Sequence, residues 1–271
     1  MPKFLSPPDR GGNWPARWFW LSSFLLAGGY LSTLVAVGLK PDAGWIVALL
    51  LVLATFSTLA SLARQLPAQN VLLAAVLIAL IGGGAHTVGV KSGIPFGSFM
   101  FGSEIGWKLF GTLPWTLPLL WVVAVLNSRG VARLVLRPWR KVRAYGFWLI
   151  GLTALFTTLF DCALEPFAAQ AKHYWIWAPG GLSLTPQGAP ISNSVGWFLV
   201  TLLMLAFVTP VLINKQLSKR SAPDFHPLAV WLGGILLFAT AAAMNGLWAA
   251  TTVDAAIGIA VAVFAIRGAQ W

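Results

Sequence analysis

The hydrophobic pattern divides the chain into eight long apolar stretches separated by polar or Gly/Pro-rich connections. The stretches lie near residues 18–39, 44–63, 71–90, 111–128, 146–165, 193–213, 227–245 and 248–267. A helix needs roughly 20 mostly apolar residues to cross a bilayer. We therefore predict an all-α fold, a polytopic transmembrane helical bundle with about eight spans.

The division between the last two spans has to be chosen, because residues 226–266 form one apolar run that is too long for a single span. We divide it at Asn245-Gly246, which places Asp254 inside the eighth span. Pairing with a polar neighbour such as Asn245 would satisfy this carboxyl group. A structural role is therefore the favoured interpretation for Asp254.

Composition supports a membrane protein. The chain is 58% hydrophobic and only 9% charged, with a mean hydropathy of +0.79, whereas soluble domains average about 25% charged residues. The apolar runs are too long and too uniform for barrel strands. No secretory signal is expected ahead of the first span, because its apolar run lacks a small-residue cleavage site. We expect a cytoplasmic tail at 1–16 and a single transmembrane domain at 17–271.

The distribution of basic residues predicts the topology. The net charge is +11, from 18 basic and 7 acidic residues. With the connections assigned alternately to the two sides, every basic residue except Lys40, Lys91, Lys108 and Lys172 falls on the side of the N-terminus. The positive-inside rule then makes both termini cytoplasmic. We expect the bacterial inner membrane, and we attribute the charge to topology and not to nucleic-acid binding.

The densest basic segment falls in the predicted connection between spans four and five. It contains Arg129, Arg133, Arg137, Arg140, Lys141 and Arg143. The first three repeat every four residues, so they would share one helix face. A topological role is the favoured interpretation, and binding of anionic lipid headgroups is the alternative.

Two carboxyl groups near the outer end of span five are the first candidates for chemistry. The segment TTLFDCALEP (157–166) places Asp161 and Glu165 one helical turn apart. An ionisable group inside a span costs about 2.5–3.5 kcal/mol and suggests a function. Apolar surroundings and a second carboxyl group oppose ionisation of both acids, so one can stay protonated. Alternatively, both meet water at a helix exit marked by Pro166, or bind Lys172.

Further polar side chains are predicted on the same side of the membrane as these acids. His86 follows three glycines, Gly82-Gly83-Gly84, which would let a neighbouring helix or a flat ligand approach the backbone. Functional and structural roles are evenly balanced for His86, and a solvated loop position is slightly favoured for Glu104. The remaining members of the group are His173 and Asn193.

Two outer connections are too apolar for ordinary solvated loops. Residues 91–110 combine glycines and aromatic side chains with Glu104, and residues 166–192 contain three closely spaced aromatic residues before a Gly/Pro-rich segment. We expect both connections to be re-entrant or to lie in the membrane interface.

Other chemistries lack the residues that they need. The single cysteine, Cys162, excludes an intramolecular disulfide and a cysteine metal cluster. Three scattered histidines make a metal site a weak hypothesis, and no nucleotide-binding glycine motif is present. A membrane prenyltransferase would need a second acidic motif beside Asp161 and Glu165. No cofactor and no metal are therefore expected.

Four motifs, in this order, resemble a known family. They are GVKSGIPFGSFMFGSEIGWKLFGTLPWTLPLLW (89–121), LFDCALEP (159–166), WIW (175–177) and PISNSVGW (190–197). Together they resemble the integral-membrane carotenoid biosynthesis proteins, which include carotenoid 1,2-hydratases and bisanhydrobacterioruberin hydratases. The resemblance implies a cofactor-independent hydro-lyase that adds water across the terminal C1–C2 double bond of an acyclic carotenoid.

The resemblance also implies roles for individual residues. Asp161 would protonate C2, Glu165 or His86 would orient or deprotonate water, and Asn193 would position it. Glu104 completes the candidate catalytic set. Candidate substrate-binding residues are Phe96, Gly97, Phe99, Phe101, Trp175, Trp177 and Trp197. The implied partners are a carotenoid or related isoprenoid, membrane lipids and other enzymes of carotenoid synthesis, with no nucleic acid.

Three alternatives remain open at the level of sequence. A lycopene-type cyclase would use the same acid but exclude water, so a dry aromatic pocket would favour it and a wet polar one the hydratase. A non-enzymatic isoprenoid or lipid-binding membrane protein would need no acid. Ion transport is disfavoured, because it would need ionisable residues spread through the membrane depth.

Overall fold

Eight helices form the protein in a computed structural model that describes residues 14–39, 44–103, 105–179, 182–183, 188–213 and 222–271. All eight are long and apolar enough to cross a membrane, so the predicted number of spans is confirmed. The orientation of the termini stays a prediction, and residues 1–13 of the predicted tail lie outside the described residues. The helices are α1 (Trp14–Leu39), α2 (Gly44–Ala63), α3 (Ala68–Ser92), α4 (Leu117–Val135), α5 (Tyr145–Glu165), α6 (Ile191–Val208), α7 (His226–Met244) and α8 (Trp248–Ala269).

Helix α4 lies at the centre of the bundle. It packs against α2, α3, α5, α7 and α8, and 72% of its span is buried, compared with 22% for α1 and for α8. The outer surface is apolar instead, as the exposed side chains of Phe24, Leu80 and Phe147 illustrate. A soluble protein does not expose apolar surface on this scale. The chain is therefore a multi-pass membrane protein.

The predicted start of span four was wrong. Helix α4 begins at Leu117 and not at residue 111, because β2 (Lys108–Leu109) turns back and pairs with β3 (Leu113–Pro114). The helix also runs further than predicted. Arg129 and Arg133 consequently lie inside its last turns and not in a connection.

The division between the last two spans is confirmed. Helix α7 ends at Met244, Gly246 has a φ of +75°, and α8 begins two residues later. Glycine adopts this left-handed conformation without steric cost. The suggested pairing of Asp254 with Asn245 is wrong, because the Asn245 amide donates to Ala241 O at 2.8 Å. Asp254 is buried, and its Oδ2 has no hydrogen-bond partner among the described residues.

The two apolar outer connections pair with each other. Strand β1 (Phe99–Phe101) runs antiparallel to β4 (Trp175–Trp177), with Phe99 opposite Trp177 and Phe101 opposite Trp175. We call this pair of strands the ribbon. Met100 and Ile176 on its other face are more than half exposed. The ribbon adds strand structure to the predicted all-α fold and turns one aromatic face inward.

Pro166 does not mark a helix exit, contrary to the prediction. The chain continues from α5 into a π-helical segment, Pro166–Ala171. Proline has no N–H for the α-helical ladder, and a π-helical turn accommodates such an interruption without ending the helix. Glu165 is therefore buried, with 7% of its surface exposed, and does not lie in water.

The glycine run in α3 brings three helices close together. A Cβ atom on Gly82 would lie 2.5 Å from Trp121 of α4 and 2.9 Å from Met204 of α6. One on Gly83 would be 3.0 Å from Leu113, whereas one on Gly84 would meet nothing within 4 Å. Gly82 and Gly83 therefore permit close packing within the protein, whereas Gly84 faces open space and is not needed for packing.

We predict opposite effects for two alanine substitutions in this run. Gly82→Ala forces Trp121 aside and should lower the melting temperature measured in detergent, because a well-packed core loses about 1–3 kcal/mol on overpacking. Gly84→Ala, the control, should leave it unchanged or raise it, since alanine is favoured over glycine in helices by up to about 1 kcal/mol. Equal melting temperatures for the two variants would contradict this packing argument.

Candidate active site

Among the described residues, Asp161 makes one hydrogen bond, which crosses the contact between α5 and α6. Asn193 donates from Nδ2 to Asp161 Oδ2 at 2.8 Å, and the two side chains are 1% and 3% exposed. The other oxygen, Oδ1, is buried without a hydrogen-bond partner in the described part of the chain. Unpartnered buried polar atoms are rare and need an explanation.

Glu165 is bound by two tryptophans of the ribbon. The indole N–H of Trp175 lies 3.0 Å from both carboxyl oxygens, and the indole N–H of Trp177 donates to Oε1. An indole can only donate, and an ionised carboxyl group can only accept. Both oxygens of Glu165 therefore accept hydrogen bonds, and such donors favour the ionised form of the group. Glu165 is therefore not a solvated acid, and its described partners are these two indoles and not Lys172.

His86 accepts a hydrogen bond from Trp121. The indole Nε1 lies 3.2 Å from Nδ1 of the imidazole. Because indole N–H only donates, Nδ1 must carry a lone pair, and the hydrogen of the neutral ring is then on Nε2. Nδ1 also lies 3.3 Å from Gly82 O, but this carbonyl cannot receive a hydrogen from an unprotonated nitrogen. In this tautomer His86 presents a donor, Nε2–H, on its other side.

Aromatic rings surround the His86 imidazole. Phe96 lies closest, with 4.2 Å between ring centroids, and is itself tightly held. A Cβ atom on Gly89 or on Gly196 would come within 2.9 Å or 2.7 Å of its ring. The other rings around His86 belong to Phe99, Phe101, Trp121 and Trp197, at centroid distances of 5.7 to 6.4 Å.

Ring contacts connect the histidine to the residues that bind Glu165, and helix α6 connects it to the residue that binds Asp161. Phe99 lies 5.2 Å from Trp177, which binds Glu165. Trp197 lies one helical turn after Asn193 on α6, and Asn193 binds Asp161. We call His86, Asp161, Glu165 and Asn193, together with the aromatic residues that surround the imidazole or bind Glu165, the acid cluster. These aromatic residues are Phe96, Phe99, Phe101, Trp121, Trp175, Trp177 and Trp197. The structure thus brings four of the five candidate catalytic residues together.

An apolar cavity between the helices is lined by neighbours of the two acids, although the carboxyl groups themselves are not part of its wall. Phe160 and Leu164, which alternate with the two acids along α5, form part of its wall, and so does Trp175. The cavity continues to side chains of α1, α2, α4 and α7, including Tyr30, Leu50, Leu117 and Phe238. Its hydroxyl groups come only from tyrosines and Thr116 among the residues that line it. A long hydrocarbon suits such a lining.

Three further residues singled out from the sequence, Glu104, Gly97 and His173, are not among the described groups that surround the two acids. Glu104 lies outside the described residues. Gly97 has a φ of +100°, and a Cβ atom there would lie 2.8 Å from Pro190 and 2.9 Å from Ser192. The close approach that it permits is therefore to the chain itself. His173 is exposed, and its Nδ1 lies 3.0 Å from Ala169 O. It lines an outer cavity with Trp175 and Trp177 and has no described hydrogen bond to either acid.

Sequence reasoning missed Trp121. This residue is fully buried, stacks on Trp197 at 3.7 Å and fixes the tautomer of His86. Its position gave a usable signal, because it lies in the interior of a span and not at a membrane edge where tryptophans usually collect. A buried indole N–H generally has a partner, so an acceptor had to be near.

Comparisons with known proteins identify the family of this chain. The sequence profile of the carotenoid biosynthesis proteins matches residues 44–264, most of the chain. The chain belongs to this family. A curated relative, the bisanhydrobacterioruberin hydratase of Haloarcula japonica, is 32% identical over 179 residues, which are 62% of this chain and 57% of the relative. The match thus spans little more than half of that relative's length. No solved structure matches the chain.

The hydrogen bond from Trp177 to Glu165 can be tested by measuring thermal stability. Trp177→Phe keeps the ring against Phe99 but removes one donor from a buried carboxylate. Hydrogen bonds to charged groups contribute about 1.5–3 kcal/mol, so the melting temperature in detergent should fall. Trp148→Phe is the matched control, because Trp148 is 65% exposed. A fall of the same size in both variants would contradict the assigned hydrogen bond.

Proposed function

We propose that this protein is a carotenoid hydratase that adds water to the terminal C1–C2 double bond of an acyclic carotenoid. The observation that carries the proposal is the buried Oδ1 of Asp161, which has no partner among the described residues. The residue before Asp161, Phe160, and the Glu165-binding Trp175 both line the apolar cavity. A protonated carboxyl oxygen that has no internal acceptor is free to give its hydrogen to a substrate. The family and the hydratase name of the 32% identical relative support the same reaction.

The different partners of the two acids support different roles. Glu165 receives hydrogen bonds from two donor-only indoles, which stabilise a carboxylate. Asp161 receives one, from a neutral amide. Two carboxyl groups one turn apart in an apolar place do not readily ionise together. A single proton shared by this pair would therefore reside mainly on Asp161, which makes Asp161 the acid and Glu165 the base.

The proposed reaction needs no change in oxidation state. The π electrons of the double bond take the proton from Asp161 to form a C2–H bond, leaving a tertiary cation at C1. The oxygen of a water molecule then bonds to C1 and loses a proton to Glu165. Transfer of this proton back to Asp161, one helical turn away, restores both groups. The net change is the addition of one water.

His86 has a supporting role in this proposal. With Nδ1 accepting from Trp121, the imidazole presents Nε2–H, which can donate to the oxygen of water but cannot take a proton from it. We therefore assign orientation of water to His86 and deprotonation to Glu165. The surrounding aromatic faces stabilise positive charge, which suits a site where a carbocation forms.

A second candidate, the lycopene-type cyclase, is supported by the nearly all-apolar lining of the cavity. Cyclisation would use the same protonation of C2, followed by attack of a neighbouring double bond on the cation and loss of a proton. The two reactions differ in product mass. The cyclase product has the mass of its substrate, and the hydratase product is heavier by one water.

Replacing Asp161 tests the acid directly. In bacteria that accumulate lycopene or bisanhydrobacterioruberin, the wild-type protein should yield a product heavier by one water, detected by mass spectrometry. Asp161→Asn keeps the size of the side chain and an acceptor for Asn193 but has no acidic proton. We expect its yield to fall by about 10²–10⁴-fold, the usual contribution of a general acid.

Asp254→Asn is the matched control for this experiment. Asp254 is also 1% exposed and also has an unpartnered oxygen, but it lies in α8. This variant should retain the wild-type yield. Full activity of Asp161→Asn would remove Asp161 from the mechanism, and a product of unchanged mass with fewer acyclic ends would favour the cyclase.

Filling the apolar cavity tests where the hydrocarbon lies. Ala48 of α2 lines the cavity and is half-buried, so Ala48→Phe should occupy the space proposed for the polyene. We expect less product at an unchanged level of folded protein. Ala27→Phe, at an exposed position of α1, is the control and should change neither. Normal product from Ala48→Phe would place the substrate outside this cavity.

A further inference from the structure

A second cavity lies at the opposite end of the bundle from the acid cluster. The C-terminal ends of α2 and α4, the beginnings of α5 and α7, and the segment after α6 form its wall. Four arginines line it: Arg129, Arg133, Arg137 and Arg140. Helices of this length separate the two ends by about 30 Å, so this cavity takes no part in the chemistry proposed above.

Arg129 is a buried cation in the wall of this cavity. Its side chain is 6% exposed, although it belongs to a membrane-spanning helix. Among the described residues, its guanidinium makes one hydrogen bond, from Nη2 to Leu212 O at 3.3 Å. A guanidinium carries five N–H donors, so this bond leaves further donors on a side chain that lines the cavity. A buried cation ordinarily needs an anionic partner.

The described wall of the cavity contains one acidic side chain beside the four arginines. This residue is Asp224, and its carboxylate is already bound by Gln65 at 2.7 Å, by Ser61 at 3.2 Å and by Arg64 at 3.3 Å. The lining side chains therefore carry an excess of positive charge.

The other lining groups favour an anion that has an apolar part. Leu62, Leu126, Leu134 and Leu212 lie beside the arginines, and Tyr145 adds a phenol. Arg133 and Arg140 are exposed at the helix ends, where the headgroups of the membrane begin. Arginine binds phosphate oxygens in a bidentate manner, and basic pockets between helices bind lipid headgroups.

We propose that this cavity binds the phosphate group of an acidic phospholipid, with Arg129 at its base and Arg133 and Arg140 at its mouth. The same chemistry would also accept inorganic phosphate. The apolar side chains favour the lipid, because its glycerol and upper acyl chain can lie against the leucines. A lipid held here would bridge the ends of α2, α4, α5 and α7.

The experiment measures thermal unfolding of the full chain in neutral detergent, together with lipid adducts in native mass spectrometry. The probes are dioleoyl phosphatidylglycerol, dioleoyl phosphatidylcholine and inorganic phosphate. A ligand that binds only the folded state raises the melting temperature. We expect phosphatidylglycerol to raise it and to form a one-to-one adduct, and the other two probes to have little effect.

Two double variants separate a site from general surface charge. Arg133→Gln combined with Arg140→Gln removes two lining cations at exposed positions, so the fold should survive, and both the shift and the adduct should be lost. Lys141→Gln combined with Arg143→Gln removes the same amount of charge from the connection between α4 and α5, but these exposed residues do not line the cavity. This control should keep the wild-type response.

Three outcomes would overturn the proposal. Equal losses in the two double variants would mean attraction by general charge. An equal response to phosphatidylcholine would mean that the phosphate and its net charge are not recognised. A response to inorganic phosphate that matches phosphatidylglycerol would assign the site to a free anion and not to a lipid. Pigment formation is not a readout here, so the result is independent of the hydratase proposal.

Discussion

The hydrogen bonds from Trp175 and Trp177 to Glu165 are the contacts on which the rest of the acid cluster depends. They fasten the ribbon to the end of α5. The ribbon in turn carries Phe99 and Phe101 onto His86, and α5 carries Asp161 to Asn193. A carboxyl group buried at this depth would be costly without donors. With two indole donors, it becomes the point at which a loop-borne strand and a transmembrane helix are joined.

The polar groups of the acid cluster divide into those that the protein satisfies and those that it leaves open. Glu165, Asn193 and the Nδ1 atom of His86 have hydrogen-bond partners. Asp161 Oδ1 has none among the described residues. A purely structural polar network gains stability from satisfying each member. The open oxygen costs stability, and Phe160 and Leu164, the neighbours of the two acids along α5, line an apolar cavity. This combination is typical of a site built for a ligand.

The sequence predicted the spans better than it predicted how they meet. Eight apolar runs and the break at Asn245-Gly246 follow from hydropathy and local glycine chemistry, which are short-range properties. The clustering of His86, Asp161, Glu165 and Asn193 at one end followed from alternating the helices. The ribbon could not be foreseen, because its strands are three residues long and lie more than 70 residues apart. The prediction that the helix ends at Pro166 was wrong for a related reason. A proline in the sequence indicates a missing N–H, but it does not show whether a π-helical turn will accommodate the interruption.

The arginines that line the second cavity and the two acids of α5 lie at opposite ends of the bundle. Arginines gather at one end, where α4 contributes Arg129 and Arg133, and the two acids lie at the other, where the same helix contributes Trp121. The bias of basic residues fits the orientation rule for membrane proteins. Basic side chains are also present at the end with the acids, because Lys108 donates to Phe101 O at 3.0 Å. The described hydrogen-bond partner of Asp161 is nevertheless a neutral amide. A cation in that place would hold Asp161 as a carboxylate, and a carboxylate has no proton to give. The amide partner is therefore compatible with the acid role proposed for Asp161.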